Sequence, residues 1–111
     1  MPKYKFLKIS GELSGHIKII ELCRAPDNAL TIEMMEEIIS AHQLIAADQD
    51  TRIMIVTSAI DRFFSNGLDI NTLLESDKNQ KIKIFETLYS MCRVVYAFPG
   101  IHISLVNGHA M

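Results

Sequence analysis

Two glycine-bearing corners are the parts of this 111-residue chain whose residue types could do chemistry. The first is Arg62-Phe63-Phe64-Ser65-Asn66-Gly67-Leu68-Asp69-Ile70, in which Gly67 permits a turn, positive φ included, that brings a ligand close to the main chain. Leu68 and Asp69 are expected at the start of a short helix running towards Leu74. An unpaired N–H there carries partial positive charge and can hold a developing oxyanion. A backbone donor of that kind is typically worth about 3 kcal/mol in a transition state. The same residues also read as a plain Asn-Gly turn followed by an Asp69 helix cap, which needs no ligand. The second corner is Ser104-Leu105-Val106-Asn107-Gly108-His109-Ala110-Met111, a strand running into a glycine turn. Converging at one sheet end, the two would offer a pair of backbone donors around one carbonyl oxygen.

The elements that must position these corners are legible from patterning. Period-two alternation in residues 4–9 and 16–22, separated by Gly11-Glu12-Leu13-Ser14-Gly15, predicts an opening β-hairpin. Arg24-Ala25-Pro26-Asp27-Asn28-Ala29-Leu30 is turn chemistry, and Thr31 can cap a helix with the stripe Met35, Ile38, Ile39, His42, Ile45, ending near Ala47. Glu33, Glu36 and Glu37 sit near that helix's positive end, which explains them without catalysis. The run Ile53-Met54-Ile55-Val56-Thr57 predicts a central parallel strand covered by helices on both faces. Residues 61–70 read as a loop. Ser76-Asp77 can cap a long helix with apolar positions Ile82, Phe85, Leu88, Tyr89, Cys92, Val95 and Tyr96, stopped by Pro99. With the strand at 101–106 this makes a parallel βαβ unit, whose ligand site belongs beyond the carboxyl ends of its strands. Residues 61–69 and 107–111 are therefore expected to meet.

Composition narrows the function classes. A hydrophobic fraction of 49% rules out disorder, and 13 acidic against 11 basic residues, a net charge of -2, give no electrostatic footprint for nucleic acid. No apolar run reaches the roughly 18 residues of a membrane span. Cys23 and Cys92 are too few for a disulfide framework and are expected as buried free thiols, which points to a cytoplasmic location. One domain, residues 1–111, is expected, ending without the usual polar tail, as a fragment would.

In this order and at these separations, the hairpin, Pro26-Asp27-Asn28-Ala29-Leu30, the helix, the strand at 53–58, Phe64-Ser65-Asn66-Gly67-Leu68-Asp69, the long helix and Ile103-Ser104-Leu105-Val106-Asn107-Gly108-His109-Ala110 resemble the enoyl-CoA hydratase/isomerase, or crotonase, superfamily. The resemblance implies an α/β fold, the ββα spiral, that binds acyl-CoA thioesters in fatty acid metabolism as a lyase or isomerase. It implies two backbone N–H groups forming an oxyanion hole for the enolate, the first supplied by Leu68. Pro26, Asn66, Gly67, Asp69 and Ile70 would line the thioester, pantetheine and adenine regions. No metal or redox cofactor is implied, coenzyme A being part of the substrate, and full-length members resemble trimers or pairs of trimers. The family pattern continues past Asn-Gly-x-Ala-x into a Gly-Gly pair and later carboxylates. Met111 precedes both, so this chain is expected to be an N-terminal part, inactive on crotonyl-CoA. The alternative is a catalytically silent CoA-binding or oligomerisation module. Asn66 stands where a smaller residue is commoner, and Gly100 where a β-branched one is, which is expected to loosen the last strand.

His16, His42, His102 and His109 lack metal-ligand spacing. His102 is expected as a satisfied polar residue and His109 as pocket lining. Asp61 and Asp69 flank the first corner without matching a family acid/base position. Met34, Met35 and Met54 are expected in the core, and Lys78, Lys81 and Lys83 on a solvated helix face.

Overall fold

The computed structural model describes residues 2–111. In chain order the elements are β1 (Leu7–Glu12), β2 (Ile17–Leu22), α1 (Ile32–Ala46), β3 (Ile53–Ser58), β4 (Phe63–Ser65), α2 (Ile70–Glu75), α3 (Lys78–Tyr96), β5 (Ile101–Ser104) and β6 (His109–Ala110). β1 and β2 form the expected antiparallel hairpin across a short 3-10 turn at Leu13–Gly15. The first strand lies three residues later than the alternation suggests. Lys5 and Phe6 give their amides to the Glu37 carboxylate on α1, at 3.0 and 2.8 Å, and so are drawn out of the ladder. β3 is central and parallel to both neighbours in the order β1-β2-β3-β5. This is the α/β hairpin-plus-parallel core expected of the chain.

Thr31 accepts from the Met34 amide and starts α1, and Asp77 does the same for α3 through Gln80. The core joins Met34, Ile38, Ala41 and Ile45 of α1 to Leu7, Ile20, Leu22 and Met54 of the sheet. Cores of this kind draw their stability chiefly from apolar area removed from water.

Three expectations about coverage fail. First, β3 is not covered on both faces, because α1 and α3 lie on the same side, over Ile20, Met54 and Val56. The opposite face carries Ile17, Ile53 and Ile101 in one register row and Ile19, Ile55 and Ile103 in the next, with Ile101 and Ile103 exposed. Second, α3 turns a different stripe inward. Ile84 is its buried residue and Met91 and Val95 border the core, while Ile82, Phe85, Tyr89, Cys92 and Tyr96 face outward. A helix with two apolar stripes cannot be oriented by periodicity alone. Third, Cys92 is exposed and Cys23 only half-buried, so neither is the buried thiol expected.

Gly100 does not loosen β5 either. A Cβ there would collide with the Arg52 carbonyl oxygen, the same oxygen that accepts from the Ile101 amide at 3.0 Å. Glycine is what allows the strand to start that close to its neighbour. Among the described residues no helix is long and apolar enough to cross a membrane.

Candidate functional site

The two glycine corners meet. Residues 63–65 and 109–110, which read as loop and turn, form the two-stranded parallel ribbon β4-β6, with Phe63 opposite His109 and Ser65 opposite Ala110. The His109 amide donates to the Arg62 carbonyl at 2.8 Å and the Met111 amide to that of Ser65 at 3.0 Å. Gly108 makes the approach feasible, since a Cβ on it would meet Arg62 and Phe63 backbone atoms at 2.6 to 2.7 Å.

Leu68 lies one residue before the helix. Asp69 is the N-cap of α2, its carboxylate accepting from the Thr72 amide, so the Leu68 amide is not one of the helix's own orphan donors as expected. It is freed by a different device. Leu30 and Leu68 form a single parallel bridge: the Leu30 amide donates to the Gly67 carbonyl at 2.7 Å, and the Asp69 amide to the Leu30 carbonyl at 3.0 Å. A residue flanked by two such bonds turns its own N–H and C=O to the other edge. The Leu68 N–H accordingly has no acceptor among the described residues. Gly67 holds φ +75 beside it, the left-handed region its lack of Cβ allows.

The residue that sequence reasoning undervalued is Asn28. Fully buried at φ 54, it accepts from the Arg24 amide at 2.7 Å and donates to Ser58 Oγ at 2.7 Å and the Phe64 carbonyl at 3.0 Å. Ser65 Oγ in turn donates to the Asn28 carbonyl and accepts from the Gly67 amide. This chain of bonds ties the Pro26 turn to the corner and fixes where Gly67 and Leu68 sit. A polar residue inside the turn Pro26-Asp27-Asn28-Ala29-Leu30 was visible, but its partners lie 30 and 36 residues away.

Of the other expected site residues, Pro26 is exposed after a cis peptide bond. Asn66 is exposed and donates to the Asp27 carboxylate at 3.0 Å. Asp69 pairs with Arg24 at 3.5 Å, and Ile70 is exposed at the start of α2. His109 does not line the cavity at the corner. It is exposed on β6 and tilts against Phe63. That cavity, of about 230 Å³, runs from Ser65, Gly67 and Met111 inward to Val56, Met91 and His102. No group of three or more His, Cys, Asp or Glu that could hold a metal ion occurs among the described residues.

The model of the enoyl-CoA hydratase/isomerase family matches residues 12–111, nearly the whole chain. The chain belongs to that family. Within it, the chain is 29% identical over 108 residues to an enoyl-CoA isomerase/hydratase of Penicillium crustosum, covering 94% of this chain and 12% of that protein. An enoyl-CoA hydratase from Geobacillus kaustophilus superposes with a TM-score of 0.90 at 28% identity, over 97% of this chain and 40% of its own. DspI of Pseudomonas aeruginosa gives 0.91 at 22% identity, over 100% of this chain and 42% of its own, and supports the fold alone. The chain thus spans less than half the length of these relatives, while its hairpin, parallel core and β4-β6 ribbon are those of the crotonase fold.

Proposed function

We propose that this chain binds a coenzyme A thioester with the thioester oxygen at the Leu68 amide, and that in the family's reaction this amide stabilises the enolate. The carrying observation is the Leu68 N–H, turned away from its Leu30 partner and left without an acceptor at the point where the two glycine corners meet. A preorganised donor of this kind costs no rearrangement when negative charge develops on the oxygen. Pro26, Asn66, Gly67, Asp69 and Ile70 surround the corner and contact the thioester, pantetheine and adenine parts of the ligand in this reading.

The carboxylates of this chain favour binding without turnover. Asp27 accepts from the Ala29 amide and from Asn66, and Asp69 is held by Arg24 and the Thr72 amide. Asp61 is almost wholly solvent-exposed beside Arg62. A general acid or base needs a carboxyl within hydrogen-bond reach of the substrate and free to exchange its proton. In this reading the contribution of residues 1–111 is to hold the thioester, and hydration or isomerisation calls on carboxylates other than these three.

Calorimetric titration with acetyl-CoA and with its thioether analogue, which lacks the carbonyl oxygen, tests the reading. The thioester is expected to bind about fivefold tighter, the worth of one net hydrogen bond of about 1 kcal/mol. Leu68→Ala keeps the N–H and the preference, whereas Leu68→Pro removes both. Equal binding of thioester and thioether by the unaltered chain contradicts the assignment.

A further inference from the structure

We propose that His42 and His102 are a positioning pair: a single proton shared between their rings joins α1 to β5, and thereby holds residues 107–111 against the Gly67 corner. The proposal concerns how one wall of the site is held, and it stands whatever ligand occupies the corner.

The proton inventory follows from the partners. His42 is 2% exposed, and its Nδ1 lies 2.8 Å from the Ile38 carbonyl oxygen. A carbonyl only accepts, so Nδ1 carries the hydrogen and the neutral ring presents a lone pair at Nε2. That lone pair faces Nε2 of His102 at 3.0 Å, which must then carry a hydrogen and donate. The rings stack with centroids 5.3 Å apart, and Phe98 meets His102 edge-on at 6.0 Å. Apart from Ser65 and Ser104, which are uncharged, the surroundings are apolar: Ile20 and Leu22 of β2, Met54 and Val56 of β3, Ile38 of α1, and Met91 and Val95 of α3. Lys18 shares the register row of Met54 and His102 two strands away, but it is paired with Asp48, and the nearest titratable group to each ring is the other histidine.

β5 needs such an anchor. It is an edge strand of four residues with Ile101 and Ile103 exposed, and His102 is the side chain it sends inward against α1. The chain then continues through Leu105, whose amide donates to Val56, and Asn107, which donates to the Ser58 carbonyl, into β6. A shift of β5 is therefore delivered to Gly108, His109 and Met111.

Protonating His42 puts two N–H groups face to face at a distance where one must accept, whereas protonating His102 adds its hydrogen at Nδ1 and leaves the shared bond in place; either event places a charge in an apolar layer. Burial holds both rings below the ordinary histidine value of 6.5, and on His42 the neighbouring His102 adds to this while the Ile38 bond opposes it. The sign follows. The open form takes up protons first, so the join is complete above about pH 6.5 and weakens as pH falls towards the lowered values of the closed pair.

Amide hydrogen exchange of residues 101–111 between about pH 7.5 and 5.5 tests this, after correction for intrinsic exchange. The opening equilibrium is expected to shift roughly tenfold per pH unit for each proton taken up. His102→Gln is the decisive variant. Its amide can donate to a neutral His42 or, turned over, accept from a charged one, so residues 101–111 stay protected across the range. His109 on β6 is common to both proteins, so the difference between them isolates the buried pair. Should His102→Gln not fold, ring ¹⁵N shifts of the unaltered protein report the tautomers directly, with Nδ1–H expected on His42 and Nε2–H on His102. The reverse tautomers, or equal acid opening in the parent chain and His102→Gln, overturn the proposal. Thioester binding is a separate readout, so loss of the functional reading leaves this result intact.

Discussion

Asn28 carries more of the candidate site than any residue that would touch a ligand. Its side chain satisfies the Arg24 amide and the Phe64 carbonyl, and its backbone accepts from Ser65, whose hydroxyl steadies Gly67. Asn28→Ala leaves those buried groups unpaired and keeps a positive φ without the local hydrogen bonds that favour asparagine there. The expected cost is about 3 kcal/mol by denaturant unfolding, with thioester binding falling before global stability does. Unchanged stability in that variant would show the network to be dispensable. At this scale the sequence was informative about identity and blind to partnership. Gly67 and Gly108 announce themselves because only glycine accepts their backbone requirements, whereas the pairing of His42 with His102 joins positions 60 residues apart whose spacing signals nothing. The Leu68 amide is turned outward by a bridge to Leu30, not by the helix start that the sequence suggests.

At the scale of elements, caps and periodicity located α1, α3 and β3 to within a residue or two, since Thr31 and Asp77 bond their own helices and such contacts are local. What failed was orientation. The stripe Ile82, Phe85, Tyr89, Cys92, Tyr96 has the same spacing as the one that packs inward, and which is buried depends on α1, far off in sequence. The β4-β6 ribbon was also invisible as strands, because three and two residues are too short to alternate. It depends on close backbone approach, so Gly108→Ala is expected to open it by forcing the added methyl against Arg62. Faster amide exchange at His109 and Met111, with protection in β2 and β3 unchanged, is the expected signature, and intact protection at both positions would show that the ribbon tolerates the methyl.

Over the whole molecule, apolar surface is left on two sides. One is the isoleucine grid on the outer sheet face, and the other is the outer stripe of α3, which borders an open concavity of about 820 Å³. Exposed apolar area of this extent drives association, and β5 adds an edge with unpaired backbone groups. The chain is expected to self-associate at tens of micromolar by light scattering, and Phe85→Lys with Tyr89→Lys to reduce the assembly. A clean monomer at that concentration would contradict this.

The central claim is that the Leu68 amide hydrogen is free and grips the thioester oxygen. The most direct test is the ¹H–¹⁵N resonance of Leu68 during titration with acetyl-CoA. The proton should move downfield on binding, more than any other amide in residues 62–70, and its exchange with water should slow. With the thioether analogue the same resonance should stay where it is. A Leu68 amide that responds equally to both ligands, or already behaves as hydrogen-bonded in the free protein, would contradict the account.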